Sequence, residues 1–145
     1  MSRQTASIHI ERSPEDVYDY MDDVSREREW QPSLRTAHQD PPGPSRVGTR
    51  KRYVSEFLGR EIDNTYVVLE VEPGRRLVSE TTRDSAADVR TEVEWEPDGA
   101  GTRITMSVEG RPRGLMKLLP RSVLEAAYRK ELSASLQRLK EHLEA

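Results

Sequence analysis

Few side chains in this sequence could carry chemistry, and those few are scattered. Cysteine is absent, which removes disulfides, thiolate nucleophiles and sulfur-ligated metals. His9, His38 and His142 fall on three different stretches with no shared spacing. A metal centre needs imidazoles that converge with other ligands, so these read as solvent-facing or capping residues, and no metal or cofactor is expected. No Gly-x-Ser-x-Gly turn offers an activated serine. Gly99-Ala100-Gly101 precedes a strand rather than a helix, which makes it a hairpin turn and not a phosphate cradle. Asp22-Asp23 could be an acid pair, but with Arg26 and Arg28 beside it the stretch reads as a solvated loop. Arg50-Lys51-Arg52 fits the exposed charges of a strand. Arg111, Arg113, Lys117 and Arg121 could stand at a pocket mouth and meet an anion. No aromatic stripe accompanies either cluster, so nucleic acid is not an expected partner.

The aromatic residues are better candidates. Trp30, Tyr53, Phe57, Tyr66, Trp95 and Tyr128 are large enough to shape a cavity or stack on a ligand. Packing in the core is the other use open to each. Tyr128 falls on the apolar stripe of a helix, where its hydroxyl needs a partner or a ligand. Asn64, Ser79, Thr81 and Thr91 occupy inward strand positions. Buried polar groups cost free energy unless paired, which favours a wet or liganded interior.

Periodicity shows what must hold these residues. Residues 6–11 alternate, Ile8 and Ile10 against His9 and Glu11, as in a half-buried strand. Ser13-Pro14-Glu15-Asp16 supplies an N-cap, a first-turn proline and acids for the helix dipole. Val17, Tyr20, Met21 and Val24 form the stripe of a short helix, and a second short helix is expected over 24–29, before Trp30-Gln31-Pro32. The period then falls to two. Strands are expected near Leu34–His38 and over Val47–Leu58, Glu61–Glu72, Arg76–Thr82, Ala87–Glu96 and Thr102–Glu109, separated by Gly- and Pro-bearing turns. Val89, Thr91, Val93 and Trp95 alternate with charged residues, and Ile104, Met106 and Val108 answer them on the next strand. One apolar and one wet face is the mark of an antiparallel sheet.

Past Gly114 the period becomes 3.6. Leu124, Tyr128, Leu132, Leu136, Leu139 and Leu143 share one stripe, with Glu125, Arg129, Lys130, Arg138, Lys140 and Glu141 facing water. Pro120 suits the first turn of this helix, so residues 121–143 form one long helix and Leu115–Leu119 a separate lead-in, apolar enough to cap a cavity. The result is an α+β chain, residues 1–145 forming one domain: a curved antiparallel sheet of six to seven strands wrapped around a long C-terminal helix, with two short helices after the first strand. One helix cannot cover the whole concave face of such a sheet. The modest inward residues favour an open space over a filled one.

Composition bounds the rest. Of 145 residues 34% are hydrophobic and 34% charged, and 23 basic against 26 acidic residues give a net charge of −3. The signs are interspersed, so no global field points to nucleic acid or an anionic membrane. No run approaches the ~18 apolar residues of a membrane span, and the first residues lack the apolar core of a signal peptide. A cytoplasmic protein, monomer or homodimer, is expected.

The element order, together with Ile8-His9-Ile10-Glu11-Arg12-Ser13-Pro14-Glu15-Asp16-Val17-Tyr18, Trp30-Gln31-Pro32, Gly48-Thr49-Arg50, Glu72-Pro73-Gly74-Arg75-Arg76-Leu77, Gly101-Thr102-Arg103-Ile104-Thr105 and Leu139-Lys140, resembles the START-like or SRPBCC superfamily, and within it the polyketide cyclase/dehydrase type. The resemblance spans the whole chain and implies a helix-grip fold with a cavity for a small apolar or aromatic ligand. It names no reaction, because members of this superfamily include cyclases, carriers, receptors and interaction modules. A cyclase or dehydratase activity is therefore one expectation, and a non-catalytic interaction or stress-regulatory module the alternative. The expected ligand-binding residues are Trp30, Tyr53, Tyr66, Thr91, Trp95, Met106, Met116, Leu119 and Tyr128; no catalytic residue is expected by name.

Overall fold

The computed structural model describes residues 3–145, the Leu115 side chain excepted. Strand β1 (Gln4–Ile10) leads into α1 (Pro14–Asp22), a 3-10 turn (Val24–Arg26) and α2 (Glu27–Trp30). There follow β2 (Leu34–Asp40), β3 (Arg50–Phe57), β4 (Arg60–Glu72), β5 (Arg76–Thr81), β6 (Ala87–Asp98) and β7 (Gly101–Pro112). A 3-10 segment (Gly114–Leu118) then precedes α3 (Arg121–Glu144). All seven strands form one antiparallel sheet in the order β1-β7-β6-β5-β4-β3-β2. This is the helix-grip architecture expected above.

The expected elements are present, with shifted ends. Ser13 caps α1 by accepting from the Asp16 N–H, with Pro14 opening the helix. The expected strand over 47–58 starts at Arg50 instead, because residues 46–49 form a turn closed by the Thr49 N–H to the Arg46 carbonyl. Strand β7 runs on to Pro112, opposite Ala87. The expected helix over 24–29 is split between the 3-10 turn and α2. In α1 the buried stripe is Val17, Tyr18 and Met21. Tyr20, expected on that stripe, is partly buried against the main core, and its hydroxyl donates to Glu29. Irregularities at Leu34/Thr36 and Val68/Glu70 break the ladder register and so bend the sheet around the helix.

Helix α3 grips unevenly. Its C-terminal half buries Leu136, Leu139 and Leu143 with Ile10, Val17, Trp95 and Ile104 in the main core. Its flanks are tied to β1, so not every charge beside the stripe faces water. Lys140 Nζ donates to the His9 carbonyl at 2.8 Å, Arg129 donates to Gln4 Oε1 at 2.9 Å, and Gln4 Nε2 to Glu125 at 3.3 Å. Toward its N-terminus the helix stands off the sheet. There Leu132 joins Ala87, Val89 and Val108 in a smaller apolar cluster.

Candidate functional site

Two adjoining cavities, of about 160 and 190 Å³, lie against the concave sheet face, the first bounded by α1 and α2 and the second by α3. Each is roomy enough for a benzene-sized guest. Gln31, Tyr66, Thr91 and Met106 line both, so these residues form the partition. The first, here called the inner cavity, is walled by Tyr18, Trp30, Tyr53, Tyr66 and Trp95, and the second, the outer one, by Phe57, Met116, Tyr128 and Glu131 among others.

The walls follow from strand parity. Along β3, Lys51 and Tyr53 face the inner cavity, with Ser55 and Phe57 facing the outer one. Across the ladder, Lys51 pairs with Tyr66 and Tyr53 with Asn64. On β6 and β7, Thr91 and Val93 lie opposite Val108 and Met106, and all four are wall residues. Trp95 is wedged edge-on against Tyr18 at 4.8 Å, and its indole N–H points at Met21 Sδ, 3.3 Å away. Phe57 and Tyr128, their rings 4.9 Å apart and tilted by 32°, stand together in the wall of the outer cavity.

Eight of the nine expected ligand residues are brought together around these cavities: Trp30, Tyr53, Tyr66, Thr91, Trp95, Met106, Met116 and Tyr128. Leu119 is half-buried and lines neither. Of the other lead-in residues expected to cap the space, Met116 is buried in the outer wall, Leu118 is 80% exposed, and the Leu115 side chain lies outside the described residues. Asn64 and Ser79 are wall residues as expected. Thr81 is not, because its hydroxyl is taken by Ala87 and Val89 of the neighbouring strand. The basic residues Arg111, Arg113, Lys117 and Arg121 line neither cavity. Arg113 instead donates to the carbonyls of Arg83 and Ser85 and pairs with Asp88.

Two expectations about charge are overturned. Asp22 is not in a solvated loop. Its carboxylate accepts from the Ser45 N–H and hydroxyl and from Lys51 Nζ at 3.4 Å, with the Asp22 and Lys51 side chains both more than nine-tenths buried. Lys51 is correspondingly not an exposed strand charge, unlike Arg50 and Arg52 on either side of it. The third group was missed altogether. Glu27, on α2, is 3% exposed; it accepts from the Tyr53 hydroxyl at 2.6 Å and from Gln31 Nε2 at 2.5 Å. Burial pushes its carboxyl up to about 7, against the opposing pull of Lys51 and of the Tyr53 hydrogen bond. Burial likewise holds the Tyr53 and Tyr66 hydroxyls well above their usual range, so both are protonated donors. The buried indole N–H of Trp30 has no acceptor among the described residues.

An apolar, aromatic-walled hollow with one proton-labile carboxyl can bind a flat hydrophobic molecule and orient its polar end. Among the described residues, no group of His, Asp or Glu is placed to hold a metal ion, and no helix is long and apolar enough to cross a membrane.

Sheet, gripping helix and lined hollow define a START-like domain for hydrophobic ligands. The chain belongs to the family described as Polyketide cyclase / dehydrase and lipid transport, whose model matches residues 1–144. Among solved structures, it is similar to TTHA0849 from Thermus thermophilus, with a TM-score of 0.84, 18% identity and coverage of 98% of this chain and 97% of that one. A START superfamily protein from Mycobacterium smegmatis superposes with a TM-score of 0.82 at 13% identity, over 98% and 97% of the two chains. The di-domain ARO/CYC BexL from the BE-7585A biosynthetic pathway gives 0.75 at 19% identity, over 99% of this chain and 50% of that one. No curated protein sequence matches this chain.

Proposed function

We propose that this protein binds a small apolar or aromatic molecule in the joined cavities, with its flat body against the aromatic wall and its polar end toward Glu27. The observation that carries this reading is the pair of hollows themselves. A sheet face that could have been packed solid is left open over rings from six elements, and voids in a core cost stability unless something uses them. The exposed large apolar side chains among the described residues are Val47, Leu58, Leu69, Leu118 and Val123, spread over five segments. They offer no broad face for a protein partner, which supports a ligand domain over an interaction module. A thermal-shift screen with flavonoids, fatty acids, sterols and polyketides tests the reading. A compound that raises Tm in the wild type, and not once the partition is filled at Met106, supports it; a screen without hits counts against it.

A second reading, a cyclase- or dehydratase-like activity, draws on Glu27 alone. A carboxyl held near 7 can both take and give a proton at neutral pH, and the occupant's carbon skeleton would be folded by the wall beside it. Turnover of a bound polyketide that Glu27→Gln abolishes is the result this reading requires.

A further inference from the structure

The buried acids of this protein are not treated alike. Asp22 has Lys51. Glu92, whose side chain is 12% exposed, has Arg3, Arg76 and Arg90. Glu27 is buried more deeply than either and has no cation within salt-bridge distance among the described residues; its contacts, Tyr53 and Gln31, are neutral donors. Buried charges are ordinarily paired, so the site lacks a counter-charge. Lys51 lies close enough to act on Glu27 but is committed to Asp22.

The surroundings fit a cation. Glu27 shares the inner cavity with the rings of Tyr18, Trp30, Tyr53, Tyr66 and Trp95, and an ammonium group is drawn to aromatic faces, most strongly where water is excluded. Glu27 and Trp30 are three residues apart on one helical turn and so lie on the same face. The Trp30 indole N–H, which has no acceptor among the described residues, is itself a donor and so plays no part in meeting the ammonium.

We infer, on the reading that these cavities hold a small aromatic molecule, that the occupant of the inner cavity carries a basic nitrogen, an arylalkyl amine whose ammonium pairs with Glu27 inside the ring of aromatic side chains. The free carboxyl, near 7, is only partly ionised at neutral pH; the ammonium draws it fully into the charged form. The groups that face Glu27 are Asp22 from α1, Gln31 from α2, Lys51 and Tyr53 from β3 and Tyr66 from β4. Of these, Gln31 has no proton equilibrium, and the two tyrosines stay protonated through the neutral range.

Calorimetric titration with 1-naphthylmethylamine, 1-naphthalenemethanol and naphthalene separates charge from shape. At pH 8 the amine is expected to bind at least tenfold more tightly than the alcohol. The ratio should shrink toward one at pH 5.5, where Glu27 holds its proton while the amine keeps its charge. Glu27→Gln should bring the amine down to the alcohol's affinity at pH 8. An alcohol that binds as tightly as the amine at pH 8, or a ratio indifferent to pH, overturns the assignment whatever the variant does, and leaves the apolar-cavity reading standing. If none of the three probes binds, the amine assignment falls; the cavity reading falls with it only when the broader ligand screen is also blank.

Discussion

The hydroxyl of Tyr53 donates to Glu27 Oε1 across 2.6 Å, joining the fourth residue of β3 to the first residue of α2 in the wall of the cavity. That bond ties the short helix, which is too brief to be stable alone, to the concave face of the sheet. It also softens the cost of burying the carboxylate without cancelling it.

The cost gives stability a pH dependence. Glu27 has a folded pKa near 7 against 4.5 when exposed, so the folded state holds this proton more tightly. Its contribution is fully present below about pH 4.5 and is lost as pH rises through 7. At about 1.4 kcal/mol per pH unit, the ionised form costs on the order of 3 kcal/mol. Glu27→Gln keeps the site neutral and should match the wild type near pH 4.5 but exceed it by about 1–3 kcal/mol at pH 8, measured by urea denaturation. Comparing wild type with variant at each pH removes the opposite trend from Asp63, Glu92 and Asp98, whose pKa values are lowered by their partners. A variant less stable than wild type at pH 8 contradicts the account.

Breaking the neighbouring pair should behave differently. Lys51→Met leaves Asp22 buried without its cation, which costs about 3–5 kcal/mol for a well-buried pair. Arg52→Ala removes an exposed pair with Asp63 and should cost less than about 1 kcal/mol. Lys51 also lowers the Glu27 pKa, so its loss pushes that pKa further up, visible in the carboxyl carbon resonance of labelled Glu27. Equal costs for Lys51→Met and Arg52→Ala would mean the inner pair is not desolvated.

Met106 stands in the partition between the cavities. Met106→Trp should fill space on both sides, abolishing ligand-induced Tm shifts while costing well under about 1 kcal/mol. A loss of about 1–3 kcal/mol, the usual consequence of overpacking, would show that the space is already occupied by the wall.

Two glycines make close approaches of different kinds. A Cβ on Gly110 would sit 2.6 Å from the Tyr128 hydroxyl, and one on Gly101 2.3 Å from the Ile10 carbonyl. A phenol tip can swing away and a paired strand cannot. Gly110→Ala should therefore shift ligand affinity at the outer cavity with less than about 1 kcal/mol lost, and Gly101→Ala should cost about 1–3 kcal/mol or more. Denaturant midpoints for the two variants check the order.

Much of this was legible in the sequence because strand parity is a strong signal. Val89 to Trp95 and Ile104 to Val108 announce which face is inward, and the structure puts Trp95 and Met106 there. The same parity was available for Lys51, in step with Tyr53, Ser55 and Phe57, but a lysine between two arginines reads as an exposed charge until its partner is known. That partner, Asp22, comes from another element, and no periodicity links the two. Glu27 was less legible still. A four-residue helix has no stripe to read, and only the i, i+3 relation to Trp30 hinted that the two share a face. Tyr18 was left off the α1 stripe because nine residues leave the helical phase loosely set. What escaped the sequence are contacts between elements, which depend on how the sheet curves and not on local pattern.

The strand order carries a kinetic consequence. From β2 to β7 every pairing is between neighbours in sequence, whereas β1 must find β7 from the far end of the chain, Gln4 meeting Val108 and Ile10 meeting Thr102. Loop-closure entropy delays such distant contacts, so the meander is expected to assemble first, with β1 and the helix that clamps it docking last. The hollow has no lid until that final step. A ligand should accordingly leave the refolding rate untouched and lengthen the lifetime of the folded state, an asymmetry that stopped-flow refolding and unfolding with and without a bound compound would record.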